Sequence, residues 1–265
     1  MDTINHQIIY CHKEKTIISD HLLINEEPLS IFIHNQPYSV IMRTPGDELA
    51  HTAGLCLGEG IVDSPKDFVS IDFIKEIDPD SVSVFLTSSK KERILDHLEQ
   101  RGLVSQSSCN ICGKEQVNKI TQAIPPLADN SCINYSKALH CLEMLDSQQP
   151  LRKKTRASHG AAIYDLTFKL LAVAEDAGRH NALDKAIGKL FLSGILHSAS
   201  LLILSSRISF ELVQKAGRAQ IPIIMSISRP TALAVKLANK LKITLACLAK
   251  GSGIYIYTHD YRLIL

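Results

Sequence analysis

Two patterns of apolar positions divide the chain. In the first third, short strand-like runs surround one strong helix. Pro28–His34 and Ser39–Arg43 are predicted strands, and the turn-forming residues Asn35-Gln36-Pro37 separate them. From Ala161 onward, apolar runs alternate with helical segments. That alternation predicts an α/β layer, because strands that are separated by one helix usually pair in parallel.

The strong helix follows Arg43. We expect it to begin at Thr44-Pro45-Gly46-Asp47, with the Thr44 hydroxyl accepting a hydrogen bond from the first turn. Apolar residues between Leu49 and Ile61 fall on one helical face. Gly54 and Gly58 are small enough to let a neighbouring element approach this helix closely.

Further elements follow from the same reading. The N-terminal part is expected to hold strands Val69–Ile77 and Ser81–Leu86 and helix Ser89–Arg101, and a helix is expected over Asn134–Gln148. In the C-terminal layer, strands are predicted at Ala161–Leu166, Leu170–Ala174, Leu201–Leu204, Ile221–Ile227 and Ile243–Leu248, with helices at Asn181–Leu192, Ser209–Arg218 and Thr231–Leu241. A last strand, Ile254–Thr258, is expected to cover an edge.

Periodicity stops between Gly102 and Pro126, which predicts a long functional loop. The basic run Arg152–Arg156 is expected to be a solvated linker. We therefore expect two domains. Residues 1–130 would form a smaller α+β domain that ends in the mobile loop, and residues 131–265 would form the α/β domain.

Composition excludes several classes of protein. The 265 residues carry 29 basic and 27 acidic side chains, and this near-neutral balance gives no argument for nucleic acid or for an anionic membrane. The N-terminus lacks the apolar stretch of a signal peptide, and the apolar runs are too short to span a bilayer. Seven irregularly spaced cysteines do not indicate a disulfide scaffold. We expect a cytoplasmic protein.

Cys109 and Cys112 lie in the long loop with a C-x-x-C spacing. This spacing suits a shared metal, a thiol–disulfide pair, or a thiolate that carries a group between two partners. Spacing alone leaves the three open. Of the other cysteines, Cys56 and Cys247 are expected in the core, and Cys11 near a flexible end.

Polar and cationic groups follow three of the predicted strands. They belong to the segments Glu175–Asn181, Ser205-Ser206-Arg207 and Ser228-Arg229-Pro230-Thr231, each of which leads into a helix. Helix N-termini attract anions, and ligands of open α/β sheets bind outside the carboxyl ends of the strands. Three such junctions on one edge predict a ligand that bears phosphate.

The chain resembles the formate dehydrogenase accessory sulfurtransferase family, FdhD. The resemblance rests on an ordered set of segments from about residue 20 onward. They are Arg43–Leu49, Gly58–Ile61, Ser107–Lys114, Glu175–Lys185, Ser205–Glu211 and Pro230–Ala234.

This resemblance implies a protein that accepts sulfur as a cysteine persulfide from a cysteine desulfurase. The protein would pass this sulfur to the molybdenum cofactor, in its bis-molybdopterin guanine dinucleotide form, before the cofactor enters formate dehydrogenase. The resemblance also implies a C-terminal domain of cytidine-deaminase-like topology and a homodimer. We expect no tightly bound metal.

Carried onto this chain, the resemblance makes Cys109 the persulfide cysteine and Cys112 its partner. The turn that matches the family's cofactor-contacting segment consists of Leu248, Ala249, Lys250, Gly251, Ser252 and Gly253. Because this turn and the strand-end junctions lie at one edge of the predicted sheet, we expect the guanine-nucleotide arms of the cofactor to lie near Arg179, His180, Ser206 and Arg207. The alternative is a non-catalytic chaperone that binds the cofactor or the dehydrogenase while the cysteine pair holds a structural zinc.

Overall fold

The structure is a computed structural model that describes residues 1–13, 15–74, 80–91, 123–128, 131–251 and 253–264. Cys109, Cys112 and Ser252 lie outside these residues, as do nearly all of the predicted helix Ser89–Arg101 and most of the loop between Gly102 and Pro126. None of the helices in the described ranges is long and apolar enough to cross a membrane.

The chain begins with a two-stranded antiparallel ribbon that the sequence did not predict. Strands β1 (Thr3–His12) and β2 (Lys15–Ile24) pair along their whole lengths. Apolar side chains such as Ile9 and Ile18 are exposed on the ribbon, so its sequence lacks the one-sided alternation of a half-buried strand. Cys11 lies within β1 and is exposed.

A four-stranded sheet follows, with strand order β4-β3-β6-β5. It consists of β3 (Glu27–Ile33), β4 (Gln36–Arg43), β5 (Phe68–Phe73) and β6 (Ser81–Leu86). Strands β3 and β4 form the predicted hairpin, and β6 runs parallel to β3. All four strands were predicted, although β5 ends earlier than expected.

The C-terminal layer is a six-stranded sheet with strand order β13-β12-β11-β10-β8-β9. Its strands are β8 (His159–Tyr164), β9 (Leu170–Asp176), β10 (Leu201–Leu204), β11 (Ile223–Ser226), β12 (Thr244–Ala249) and β13 (Gly253–Thr258). Strands β10, β11 and β12 are parallel. Strand β8 lies antiparallel between β9 and β10, so β9 has the direction of the parallel group. The carboxyl ends of four strands, β9, β10, β11 and β12, therefore lie along one edge of the sheet. Strand β13 is the outermost strand beside β12 and covers its lateral border as expected.

Helices cover both faces of this sheet, which confirms the predicted α/β fold. The helices are α1 (Glu48–Gly58), α2 (Tyr135–Met144), α3 (Pro150–Thr155), α4 (Arg179–Leu192), α5 (Phe210–Arg218) and α6 (Ala232–Leu241). The larger core contains residues of α1, α4, α5 and α6, and the smaller core contains residues of α2. The short strands β7 (Ile133–Asn134) and β14 (Leu263–Ile264) pair beside the smaller core.

Two of the local predictions are wrong. Helix α1 begins after Asp47, whose backbone is left-handed and whose side chain makes no capping bond, so Thr44 is not the cap. The Thr44 hydroxyl instead accepts a hydrogen bond from the backbone N–H of Ala177. The basic run Arg152–Arg156 is not a linker, because most of it belongs to helix α3, although the charges of Lys153 and Lys154 are solvated as expected.

Helices α1 and α4 pack backbone to backbone. A Cβ atom on Gly54 would overlap the main chain of Asp184, and one on Gly188 would overlap the carbonyl of Ala50. The predicted close approach at Gly54 is confirmed. Because α1 connects β4 and β5 of the four-stranded sheet and α4 connects β9 and β10 of the six-stranded sheet, this contact joins the two parts of the chain through one core.

His51 lies in this helix pair and is fully buried. Burial holds the pKa of His51 well below its ordinary value, and the nearby charges of Lys185, Lys215 and Arg43 lower it further. The ring is therefore neutral in the folded protein at neutral pH.

Gly188→Ala should destabilise the fold. The added methyl group has no space, so we expect a loss of about 1–3 kcal/mol in the free energy of unfolding. Urea denaturation measures this loss. Lys236→Ala, at an exposed position of α6, serves as the control and should change stability by less than about 0.5 kcal/mol. An unchanged Gly188→Ala midpoint would contradict the close packing.

His51 should make the fold sensitive to acid. Below about pH 6.5 the unfolded chain takes up a proton on this histidine and the folded chain does not, so stability falls as pH falls. We expect this slope to be shallower in His51→Gln by about 1.4 kcal/mol per pH unit. Urea denaturation at several pH values measures the difference, and His197→Gln, at an exposed position, should keep the wild-type slope. Equal slopes in wild type and His51→Gln would disprove the assignment.

Candidate functional site

The buried carboxylate of Asp176 organises the start of the candidate site. Its Oδ1 accepts hydrogen bonds from the Gly178 N–H at 2.8 Å and from Asn181 Nδ2 at 2.9 Å. Its Oδ2 accepts from the Thr44 N–H at 3.0 Å and forms an ion pair with Lys185 Nζ at 2.7 Å. Asp176 and Lys185 are both almost inaccessible to solvent. A fully bonded carboxylate thus ties the end of β9 to the first turn of α4.

Lys185 extends this junction to the N-terminal part of the chain. Its Nζ also donates to the Thr44 carbonyl at 2.6 Å. Asn181 Nδ2 donates to the carbonyl of Met42 at 2.8 Å. The segments Arg43–Leu49 and Glu175–Lys185, which carry part of the family resemblance, are therefore hydrogen-bonded to each other.

Glu175, the residue before Asp176, holds helix α3. Its two carboxylate oxygens accept from the backbone N–H groups of Leu151 and Arg152, each at 2.8 Å, and from the Ser158 hydroxyl at 2.7 Å. Neighbouring residues of a strand point to opposite faces of a sheet, so Glu175 and Asp176 fix elements on the two faces. The cationic helix α3 is thereby placed beside the strand-end edge.

Arg179 and His180 begin helix α4 at this edge, directly after the N-cap residue Gly178. His180 Nε2 lies 2.6 Å from Glu211 Oε2 and 3.3 Å from the Ser209 hydroxyl. Ser209 is the N-cap residue of α5. The His180 contacts therefore join the N-termini of α4 and α5.

Positive charge is concentrated next to His159, the first residue of β8. Burial lowers the pKa of His159, and Arg179, Arg152 and His180 lower it further by charge repulsion. Ser205 connects this histidine to the end of β10, because its hydroxyl lies 3.4 Å from His159 Nδ1 and accepts from the Gly160 N–H at 2.9 Å. The edge therefore favours an anionic ligand.

The loops after β10 and β11 continue the edge. Ser206 is buried and its hydroxyl donates to the Arg207 carbonyl at 3.0 Å, while the Arg207 side chain is exposed to solvent. Thr231 caps α6, accepting from the Ala234 N–H at 3.3 Å. An isolated bridge between Ile208 and Pro230 holds the two loops together.

The turn between β12 and β13 lies at the same edge, on the far side of β11 from His180. Leu248 and Ala249 end β12 and are partly buried, Lys250 and Gly251 are exposed, and Gly253 begins β13. Gly251 has a positive φ of 79°, a conformation that favours glycine. At this end of the edge the Arg229 guanidinium lies 5.4 Å from the centre of the Tyr255 ring.

The structure thus groups the expected residues unevenly. Arg179 and His180 belong to one cluster with His159, Ser209 and Glu211, whereas Arg207 and Lys250 lie farther along the edge in other loops. Sequence reasoning missed Glu211 as a member of the site. Its position in the first turn of α5, next to a predicted anion-binding loop, was the available signal.

Five cysteines lie in the described ranges. Cys56, Cys141 and Cys247 are buried, which confirms the core interpretation of Cys56 and Cys247, and Cys132 is exposed. Within the described residues, no three His, Cys, Asp or Glu side chains are grouped to hold a metal ion.

Lys185→Ala should destabilise the protein strongly. Removal of the ammonium leaves the buried Asp176 charge uncompensated, at a cost of about 3–5 kcal/mol in the free energy of unfolding. Chemical denaturation measures this cost, and the double variant Asp176→Asn/Lys185→Met should recover part of it. Lys189→Ala is the matched control, because Lys189 pairs with the more exposed Asp47 and its loss should cost about 0–1 kcal/mol. Equal losses in the two lysine variants would contradict the role of the junction.

Comparison with known proteins supports the family resemblance that these segments indicate. The model of the FdhD/NarQ family matches residues 24–264. A sulfur carrier protein FdhD from Xanthomonas axonopodis pv. citri is 34% identical over 240 residues, which cover 91% of this chain and 85% of the relative. Another, from Sulfolobus acidocaldarius, is 35% identical over 254 residues and 93% of both chains.

The fold agrees as well. The crystal structure of a proposed formate dehydrogenase accessory protein from Desulfotalea psychrophila superposes with a TM-score of 0.79 over 99% of both chains, at 22% identity. That likeness shows a shared fold. With a family match that spans nearly the whole chain, this protein belongs to the FdhD/NarQ family.

Proposed function

We propose that this protein is a sulfur carrier that accepts sulfur as a persulfide on Cys109 from a cysteine desulfurase. It then delivers the sulfur to the molybdenum cofactor, in its bis-molybdopterin guanine dinucleotide form, for use in formate dehydrogenase. The relatives named sulfur carrier protein support the carrier role. The name of the solved structure supports the link to formate dehydrogenase.

The observation that carries the cofactor part of the proposal is the cationic strand-end edge. Three helices begin there, and Arg152, Arg179, His180 and Arg207 lie along it. Helix N-termini and guanidinium groups bind phosphate oxygens, and the cofactor carries a pyrophosphate in each nucleotide arm. The cofactor is the substrate of this reaction, and it would lie along the edge toward Lys250.

The loading step conserves atoms and electrons. The Cys109 thiolate attacks the outer sulfur of the persulfide on the desulfurase. A new S–S bond forms on Cys109, the S–S bond on the desulfurase breaks, and its cysteine leaves as a thiolate. No external oxidant or reductant is needed for this exchange. Cys112 would assist the later transfer or protect the persulfide.

We also propose that the protein works in the cytoplasm as a homodimer. The family resemblance supports both statements, and a reducing compartment keeps Cys109 and Cys112 available as thiols.

Loading of sulfur on Cys109 is directly measurable. After incubation with a cysteine desulfurase and cysteine, the intact chain should gain the mass of one sulfur atom, and peptide mapping should locate it at Cys109. Cys109→Ser should lose this gain almost completely, because the attacking thiolate is absent. Cys132→Ser, which removes another exposed thiol, is the control and should be loaded like wild type.

Two results would contradict the proposal. One is full loading of Cys109→Ser. The other is stoichiometric zinc bound by the cysteine pair in the purified protein, since metal coordination would occupy the thiolates and favour the chaperone alternative.

A further inference from the structure

Two cross-helix charge pairs lie between α4 and α5 in successive turns. His180 and Glu211 form the first pair at the strand-end edge, at 2.6 Å. Asp184 and Lys215, each four residues further along its helix, form the second pair inside the core, at 2.7 Å. The inner pair is buried, whereas the His180 and Glu211 side chains remain 31% and 22% exposed. The outer pair is therefore within reach of a ligand.

The position of Glu211 needs an explanation. A carboxylate in the first turn of α5 faces an edge that otherwise collects cations, and a negative charge there would repel phosphate. The His180 ring lies against this carboxylate and can neutralise it only when the ring is protonated. Protonation of this ring therefore changes the net charge of this part of the edge by one unit.

The surroundings of His180 come from three elements. Glu211, Lys215 and the Ser209 hydroxyl lie on α5 or at its start, and His159 lies on β8. Asp184 and Arg179 lie on α4 itself. Glu211 is the carboxylate in direct contact with the ring, so it is the group that selects which ring nitrogen remains for a ligand.

We propose that Glu211 is a positioning residue that holds the His180 ring at the anion-binding edge, so that a guanine nucleotide binds more tightly when His180 is protonated. The inference rests on the proposed function, because it describes how the same edge is regulated. Glu211 occupies Nε2, which leaves Nδ1 as the second ring donor. In the protonated ring, both nitrogens carry a proton from solvent and Nδ1 can donate to a phosphate oxygen. In the neutral ring, one donor is lost and the ring no longer offsets the negative charge of Glu211.

The experiment measures binding of GDP, the nucleotide part of one cofactor arm, to the full chain by calorimetry. Titrations run from about pH 6 to about pH 8.5, the range in which histidines change charge. The Kd of wild type should rise toward about tenfold per pH unit above its midpoint, as expected for one linked proton. His180→Gln should bind more weakly at low pH and lack this histidine-dependent rise.

Glu211→Gln separates positioning from a merely structural role. Glutamine can still bond the ring but does not favour its protonated form, so the midpoint of the pH profile should move to lower pH. Glu143→Gln is the matched control, because it also removes one carboxylate. Glu143 is exposed on α2, a helix that packs against the other face of the sheet. Its profile should equal that of wild type. The GDP phosphate itself titrates near pH ~6, but this contribution is common to all four proteins.

The possible failures are distinguishable. If wild type binds GDP but His180→Gln or Glu211→Gln keeps the wild-type pH profile, the inference is wrong while the proposed nucleotide edge remains. If wild type binds no GDP at any pH, the proposed edge is wrong, and the inference that depends on it is wrong as well. Circular dichroism of each variant verifies that a lost response does not come from unfolding.

Discussion

The ion pair between Asp176 and Lys185 is the interaction on which the arrangement of the site depends. Two charges are held out of water at 2.7 Å, and the remaining hydrogen-bonding capacity of the carboxylate is taken by backbone and amide groups. Such a pair is stable only when every polar atom is satisfied, because desolvation of two charges is costly. Its partners fix the end of β9, the start of α4 and the segment that precedes α1.

This junction places the ligand-facing groups on a rigid frame. Gly178 accommodates the turn into α4, and Arg179 and His180 then begin the helix at the edge where β10, β11 and β12 also end. Glu175 fixes the cationic helix α3 from the other face. Sites built on rigid elements hold their polar groups more accurately than sites on loops. The proposed sulfur carrier therefore combines a fixed cationic edge with a cysteine pair in a different segment of the chain.

Features set by local sequence were predictable, and features set by distant contacts were not. The strands of the C-terminal layer were predicted because each is a short apolar run, and the polar groups that follow them predicted the edge.

Glu211 was missed, since its pairing with His180 depends on how α4 and α5 pack. Helix α3 was mistaken for a linker because Glu175, a residue of another element, holds its first turn. Thr44 suits a helix cap, but its hydroxyl bonds the Ala177 N–H across the junction instead. The N-terminal ribbon was missed because exposed apolar side chains obscure the strand pattern.

The delivery of sulfur to the cofactor is the central claim of this account. The protein can be loaded with isotopically labelled sulfur at Cys109, freed of desulfurase, and mixed with the molybdenum cofactor that lacks the transferred sulfur, before cofactor-free formate dehydrogenase is added. The account predicts that label leaves Cys109, appears with the molybdenum cofactor, and restores formate oxidation in proportion. Restoration of activity while the label stays on Cys109 would contradict it.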